Sequence, residues 1–374
     1  METIIPKADV LDVTFVYLPL SDKQPVTIIS DGDIFYFKTY FSMVLGILIS
    51  SLGLTSNIMN ITVYWKQGIR DSINITFIAL SMWDLNICLM SGLSSASYII
   101  DIYFPSPDFN MISIQYVYFG YTRGFMYVLS TLVTVYLSAE RSICIMLPFK
   151  VKYIFSATRV VLVHMIIVVF GLACYCPAWA TQGVQWVFYP RINRTRLVLW
   201  LSPNRRDIDL FVDTFSGMVL PLVAQLLVTV SAAFMIHGVR KSAKFRNQPT
   251  HVETPATSSS NSVGISSSSK LHTHTKAMIM TSKDIRLTKV VVLITIIFFA
   301  CNLPVFVVAF LRWLIPDLDI GKPQQNLYAV LYACVYFCGI INSSVNIIVY
   351  YNVGTRYRHE FLRLLGLVTA IMKK

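Results

Sequence analysis

Charge is what this chain has least of. Only 13% of its 374 residues are charged, about half the share found in soluble domains, and mean hydropathy is +0.61. A membrane class is therefore favoured over a water-soluble one before any motif is read. Useful cysteine is scarce as well. Cys88, Cys144, Cys174, Cys176, Cys301, Cys334 and Cys338 all lie inside or beside apolar stretches, so no loop-stapling disulfide is expected. No CxxC pair or His/Cys cluster has metal-site spacing. The first 30 residues lack the basic and apolar regions of a cleavable signal peptide, so the first apolar run is expected to act as an uncleaved anchor. No internal repeat is visible, which disfavours a transporter built from duplicated halves.

What the chain does have is seven long apolar runs, at about 36–64, 74–100, 115–139, 160–180, 213–236, 287–311 and 327–351. Each reaches the roughly 20 residues that a spanning helix needs. The fold class is thus an all-α membrane bundle of seven helices, one domain over 1–374. Residues 1–34 form a tail and 36–351 the bundle. Residues 237–286 form a long loop with a Ser-rich linker, and 352–374 an amphipathic helix with a short tail. Lys and Arg concentrate in the joints after the first, third, fifth and seventh runs, such as Lys66, Arg70, Lys150, Arg240, Lys241, Arg356 and Arg358. Cytoplasmic loops carry that excess, so the tail 1–34 is expected outside the cell. The +12 charge is then a membrane asymmetry, and nucleic acid is set aside as a partner. In the last segment Tyr357, Phe361, Leu364 and Leu365 recur at helical spacing among arginines, as in a helix lying on membrane lipid. Asn193-Arg-Thr, in the long joint 181–212, is a glycosylation sequon.

The third run carries polar groups that lipid would not tolerate. Arg123 and Arg141 stand 18 residues apart, about 27 Å along a helix, with Ser130 between them. Such a helix belongs at the centre of a bundle. Asp84 sits mid-run in the second helix and needs partners or a cation. Asn342, Asn346 and Tyr350 are four apart and share a helix face.

Taken in order, the motifs resemble those of the rhodopsin-like (class A) G protein-coupled receptors. Ser56-Asn57 resembles the first-helix Asn motif, and Leu80 to Leu85 the LxxxD of the second. Glu140-Arg141-Ser142 stands where the family has D/E-R-Y, followed by Pro148-Phe149. Pro221, the set Phe298, Cys301 and Pro304, and the run Asn342 to Tyr350 match the motifs of helices five, six and seven. The resemblance implies an extracellular ligand and a heterotrimeric G protein partner, with arrestin recruitment by the phosphorylated Ser cluster. It implies a plasma-membrane location and an allosteric sodium ion held by Asp84, Ser130, Asn342, Ser343 and Asn346. It also implies a latch of Arg141 with Glu140 and Asp284, with Pro148, Phe149 and Tyr350 serving the switch. Tyr116 replaces the outer cysteine of helix three, so the second outer loop is expected to be unpinned. Asn302 replaces the sixth-helix Trp. Ile347 replaces the seventh-helix Pro, so that helix is expected to bend less.

In the family the ligand cavity opens among helices three, five, six and seven. Arg123 would there hold a carboxylate and Asp213 an ammonium, as for an amino-acid-like zwitterion. Tyr127, Phe306, Phe310, Tyr332 and Tyr336 would form aromatic walls. The eroded motifs are similar to those of molluscan and other invertebrate chemosensory receptors. A neuropeptide receptor of the FMRFamide type is the alternative. No nucleophile–base pair marks an enzyme.

Overall fold

The computed structural model describes residues 27–147, 151–190, 193–246, 282–318 and 322–366. Pro148, Phe149 and the Ser-rich stretch 254–269 lie outside the described residues. Among the described residues seven helices are long and apolar enough to cross a membrane: α1 Asp31–Gln67, α2 Ser72–Tyr103, α3 Met111–Met146, α4 Ala157–Ala180, α5 Arg205–Ser242, α6 Asp284–Leu314 and α7 Gln325–Val353. A short helix α8, Thr355–Leu364, follows. Between α4 and α5 the chain forms an antiparallel hairpin, β1 Gln182–Tyr189 and β2 Arg194–Leu201. The hairpin marks one end of the bundle and Arg141 the other.

Each helix outruns its apolar stretch, because hydropathy records the greasy layer and not the helix end. The extension is largest in α5, which begins eight residues before the expected start at 213. Three helices contain π-helical stretches, at Lys38–Leu45, Gln115–Gly120 and Val212–Val219. The third runs up to the turn of Pro221, whose missing N–H cannot continue the regular ladder. In α7 the regular helix stops at Ser344 and restarts at Asn346. The interruption falls at Val345, two residues before Ile347. Ser344 Oγ bonds back to the Ile340 carbonyl at 2.7 Å, and such back-bonding perturbs helices without proline.

Helix α3 is central: 61% of its most apolar window is buried, against 28% for α4 and α7. At the Arg141 end Val133, Leu137, Met235, Val291, Ile294 and Tyr350 make one core. Nearer the hairpin Phe125, Leu129, Tyr175 and Val212 make another. Leu52, Leu162, Val169 and Leu226 stay exposed, as lipid-facing positions do. Helices α1 and α2 meet through small residues, which let backbones approach closely. A Cβ on Gly53 would fall 2.4 Å from both Cys88 Sγ and Ser344 Oγ. Gly53→Val should therefore cost about 1–3 kcal/mol by overpacking, read as a lower melting midpoint in detergent. An unchanged midpoint would contradict the close approach.

Helix α8 packs on the bundle. Its apolar face turns to the bundle: Tyr357 is buried against Tyr64 and Tyr350, and Phe361 packs on Tyr351. Leu365, just past its end, stays exposed.

Candidate functional site: a polar column and a tyrosine-lined cavity

Asp84 is almost wholly buried, held at mid-helix by the apolar residues around it in sequence. Ser130 Oγ donates to its Oδ1 at 2.7 Å and Asn346 Nδ2 to its Oδ2 at 2.8 Å. Ser343 lies beside the same carboxyl, yet its fully buried hydroxyl has no hydrogen-bond partner of good geometry. Ser81, one turn before Asp84, is another buried hydroxyl without a partner among the described residues. A carboxylate, the Ser130 oxygen and orphan hydroxyls are donors that a hard cation accepts, so the residues fit a small ion such as sodium. Asn342 is half-buried, and its side chain makes no hydrogen bond among the described residues. Ser343 and Asn346, on either side of the interruption, are buried.

The column continues to the Arg141 end. Asn57 Nδ2 donates to the Ser343 carbonyl at 2.7 Å, Asn60 Nδ2 to Asn57 Oδ1 at 3.3 Å, and Tyr357 Oη to Asn60 Oδ1 at 2.6 Å. Asn60 and the Tyr357 hydroxyl were not singled out in the sequence. Their only signal is that Asn60 follows Asn57 by three residues, on the same helix face. Tyr350 is fully buried among Tyr64, Phe77 and Tyr357. Arg141 Nη2 lies 3.0 Å from Glu140 Oε1. Glu140 also accepts from Ser72 Oγ at 2.9 Å and Thr76 Oγ1 at 3.4 Å, two α2 partners not read from sequence. Asp284 stands in the first turn of α6, where its charge reaches Cys144 together with those of Glu140 and Arg141.

Toward the hairpin lies a cavity of about 240 Å³. Arg123, Tyr127, Tyr175, Asn302, Tyr332 and Tyr336 contribute the chemistry of its wall. The Arg123 guanidinium carbon sits 4.1 Å from the centre of the Tyr336 ring. At the floor Tyr127 Oη donates to Asn302 Oδ1, and Asn302 Nδ2 donates to the Phe298 carbonyl at 2.8 Å. The residue in place of the expected Trp thus bridges α3 and α6 by polarity. Three residues expected at the ligand, two wall aromatics and Asp213, are not in this lining. Phe310 is exposed and stacks on Trp313. Phe306 is not among the lining residues, where Val305 stands instead. Asp213 is exposed, because the π-helical stretch shifts the register and turns Val212 and Ser216 inward. Asn193 is exposed at the hairpin turn with φ 47°, a backbone region that Asn tolerates.

A seven-span bundle, a buried carboxylate column and a cavity floored by a contact between two helices define a membrane receptor. The profile for the 7 transmembrane receptor (rhodopsin family) matches residues 56–350, and the chain belongs to that family. It is accordingly a multi-pass plasma-membrane receptor and not an enzyme. No curated protein matches the chain.

Proposed function

We propose that this receptor detects a small carboxylate-bearing molecule in the Arg123 cavity and signals to a heterotrimeric G protein at the Arg141 end. One observation carries the reading. Among the described residues lining the cavity, Arg123 alone is charged, and a guanidinium pairs with a carboxylate through two parallel hydrogen bonds. The volume adds a limit. Drug-sized ligands occupy about 300–1,000 Å³, so 240 Å³ suits an amino-acid-sized acid. An FMRFamide-type peptide would have to leave most of its length outside. With Asp213 outside the lining, the ammonium of a zwitterion would meet tyrosine faces, a favourable cation–π setting. A small anionic cue fits a chemosensory role of the invertebrate kind.

In this reading the N-terminus and the hairpin face outward, which also exposes Asn193 to glycosylation. The Ser-rich loop meets arrestin, and the arginines of α8 meet inner-leaflet lipid. The test is a screen in cells carrying a promiscuous G protein. Carboxylic acids and amino acids should elicit responses that their methyl esters do not. Responses confined to amidated peptides would reject the proposal.

Asp84, Ser130 and Ser343, with Asn346 beside them, would hold sodium as an allosteric ion that favours the resting bundle. Replacing choline chloride by sodium chloride should then raise the melting midpoint by a few degrees. That is on the order of 1–2 kcal/mol at about ten times the dissociation constant. Asp84→Asn should abolish the increment, and an equal increment in both proteins would refute the site.

A further inference from the structure

We infer that Arg205 is a positioning residue: its guanidinium staples the hairpin-side ends of α3, α4 and α5 and so fixes one wall of the ligand cavity. Arg205 opens α5, yet it is only 4% exposed. Its Nε lies 2.7 Å from Asp209 Oδ1, one turn along the same helix. Its Nη1 donates to the Ala178 carbonyl at 2.5 Å and to Thr181 Oγ1 at 3.2 Å, capturing the end of α4. Its Nη2 donates to Tyr116 Oη at 3.5 Å, and the group lies 4.4 Å from the centre of the Tyr121 ring. Tyr121 Oη closes the circuit by donating to Asp209 Oδ1. One cation therefore reaches three helices, a task for which a planar five-donor fork suits and a lysine does not.

The hairpin is tied in by independent bonds. Gln182 Nε2 donates to the Val117 carbonyl at 2.8 Å. The Ser202 amide donates to the Thr181 carbonyl at 3.0 Å, and the Leu197 amide to the Asp108 carbonyl at 2.7 Å. All seven cysteines are free, so no covalent bridge shares the load. The loop expected to be unpinned is instead held by hydrogen bonds and charge. The effect reaches the ligand through the backbone. Arg123 lies two residues beyond Tyr121, Tyr175 three residues before Ala178, and Ser216 on the same helix as Asp209. These are three of the residues lining the cavity.

Hydrogen exchange of the purified full chain, followed by mass spectrometry, tests this without a ligand. In the unaltered protein excess dithiothreitol should leave exchange in 182–201 unchanged. Arg205→Ala should accelerate exchange about tenfold or more, as expected for losing a charged hydrogen bond. The acceleration should be confined to the adjoining ends of α3, α4 and α5, with 57–84 and 337–350 unaffected. Tyr121→Phe should give a smaller change in the same places. It serves with Arg205→Lys, which should recover part of the protection, if the alanine variant does not fold. Unchanged exchange in these variants, acceleration spread evenly over all seven helices, or a response of the unaltered protein to reductant would overturn the staple.

Discussion

Arg123→Gln should lower the potency of a carboxylate agonist about 10- to 100-fold, the effect of losing a charged hydrogen bond of roughly 1.5–3 kcal/mol. The cation it removes is the only charge among the described residues lining the cavity, and it sits against the Tyr336 ring. Arg123→Lys should fall between the two. It keeps the charge but gives up the two-pronged geometry and much of the ring stacking. The decisive readout is the ratio of responses to an acid and its methyl ester. If Arg123 reads the carboxylate, the glutamine variant should bring that ratio towards one. If Arg123 serves only to pack Tyr336, surface expression should drop while the ratio stays as it was. Concentration–response curves normalised to surface receptor separate these outcomes.

The parts of this protein that hydropathy controls were legible in advance. Seven runs of sufficient length, with Arg123, Ser130 and Arg141 strung along the third, required a central α3, and that helix is the most buried. The meeting of Asp84, Ser130 and Asn346 followed from the cost of leaving a carboxylate in lipid and from the resemblance. What escaped depends on backbone register, which hydropathy does not encode. A π-helical stretch leaves Asp213 exposed and Ser216 buried, and Asn342, unlike Ser343, stays only half-buried. The hairpin was hidden for a different reason. Trp186, Phe188, Leu197 and Leu199 share one face, and Val187, Val198 and Trp200 the other. Large apolar residues stand on both faces, the second also carrying Gln185, Arg194 and Arg196, so the alternation that marks a strand is blurred. Arg205 was one arginine in a polar joint, and only the tertiary structure shows which helices it joins.

The pair at the opposite end should produce the largest loss of stability. Glu140 is wholly buried and Arg141 only 9% exposed, and the carboxylate gathers Arg141, Ser72 and Thr76. Removing one partner of a buried ion pair leaves an uncompensated charge and costs about 3–5 kcal/mol. Against a total stability of roughly 5–15 kcal/mol, Glu140→Ala should sharply reduce the yield and melting midpoint of the solubilised receptor. Receptor that survives carries an Arg141 released from its tether, and in the proposed signalling role its basal activity should rise. The double variant Glu140→Ala with Arg141→Ala separates the two effects. Deleting the orphaned cation should restore part of the midpoint, because the penalty lies in the unpaired charge more than in the lost contact. Basal signalling should nevertheless fall, since the group proposed to engage the G protein is gone. A double variant no more stable than Glu140→Ala would show that the carboxylate acts mainly by tying α3 to α2 through Ser72 and Thr76.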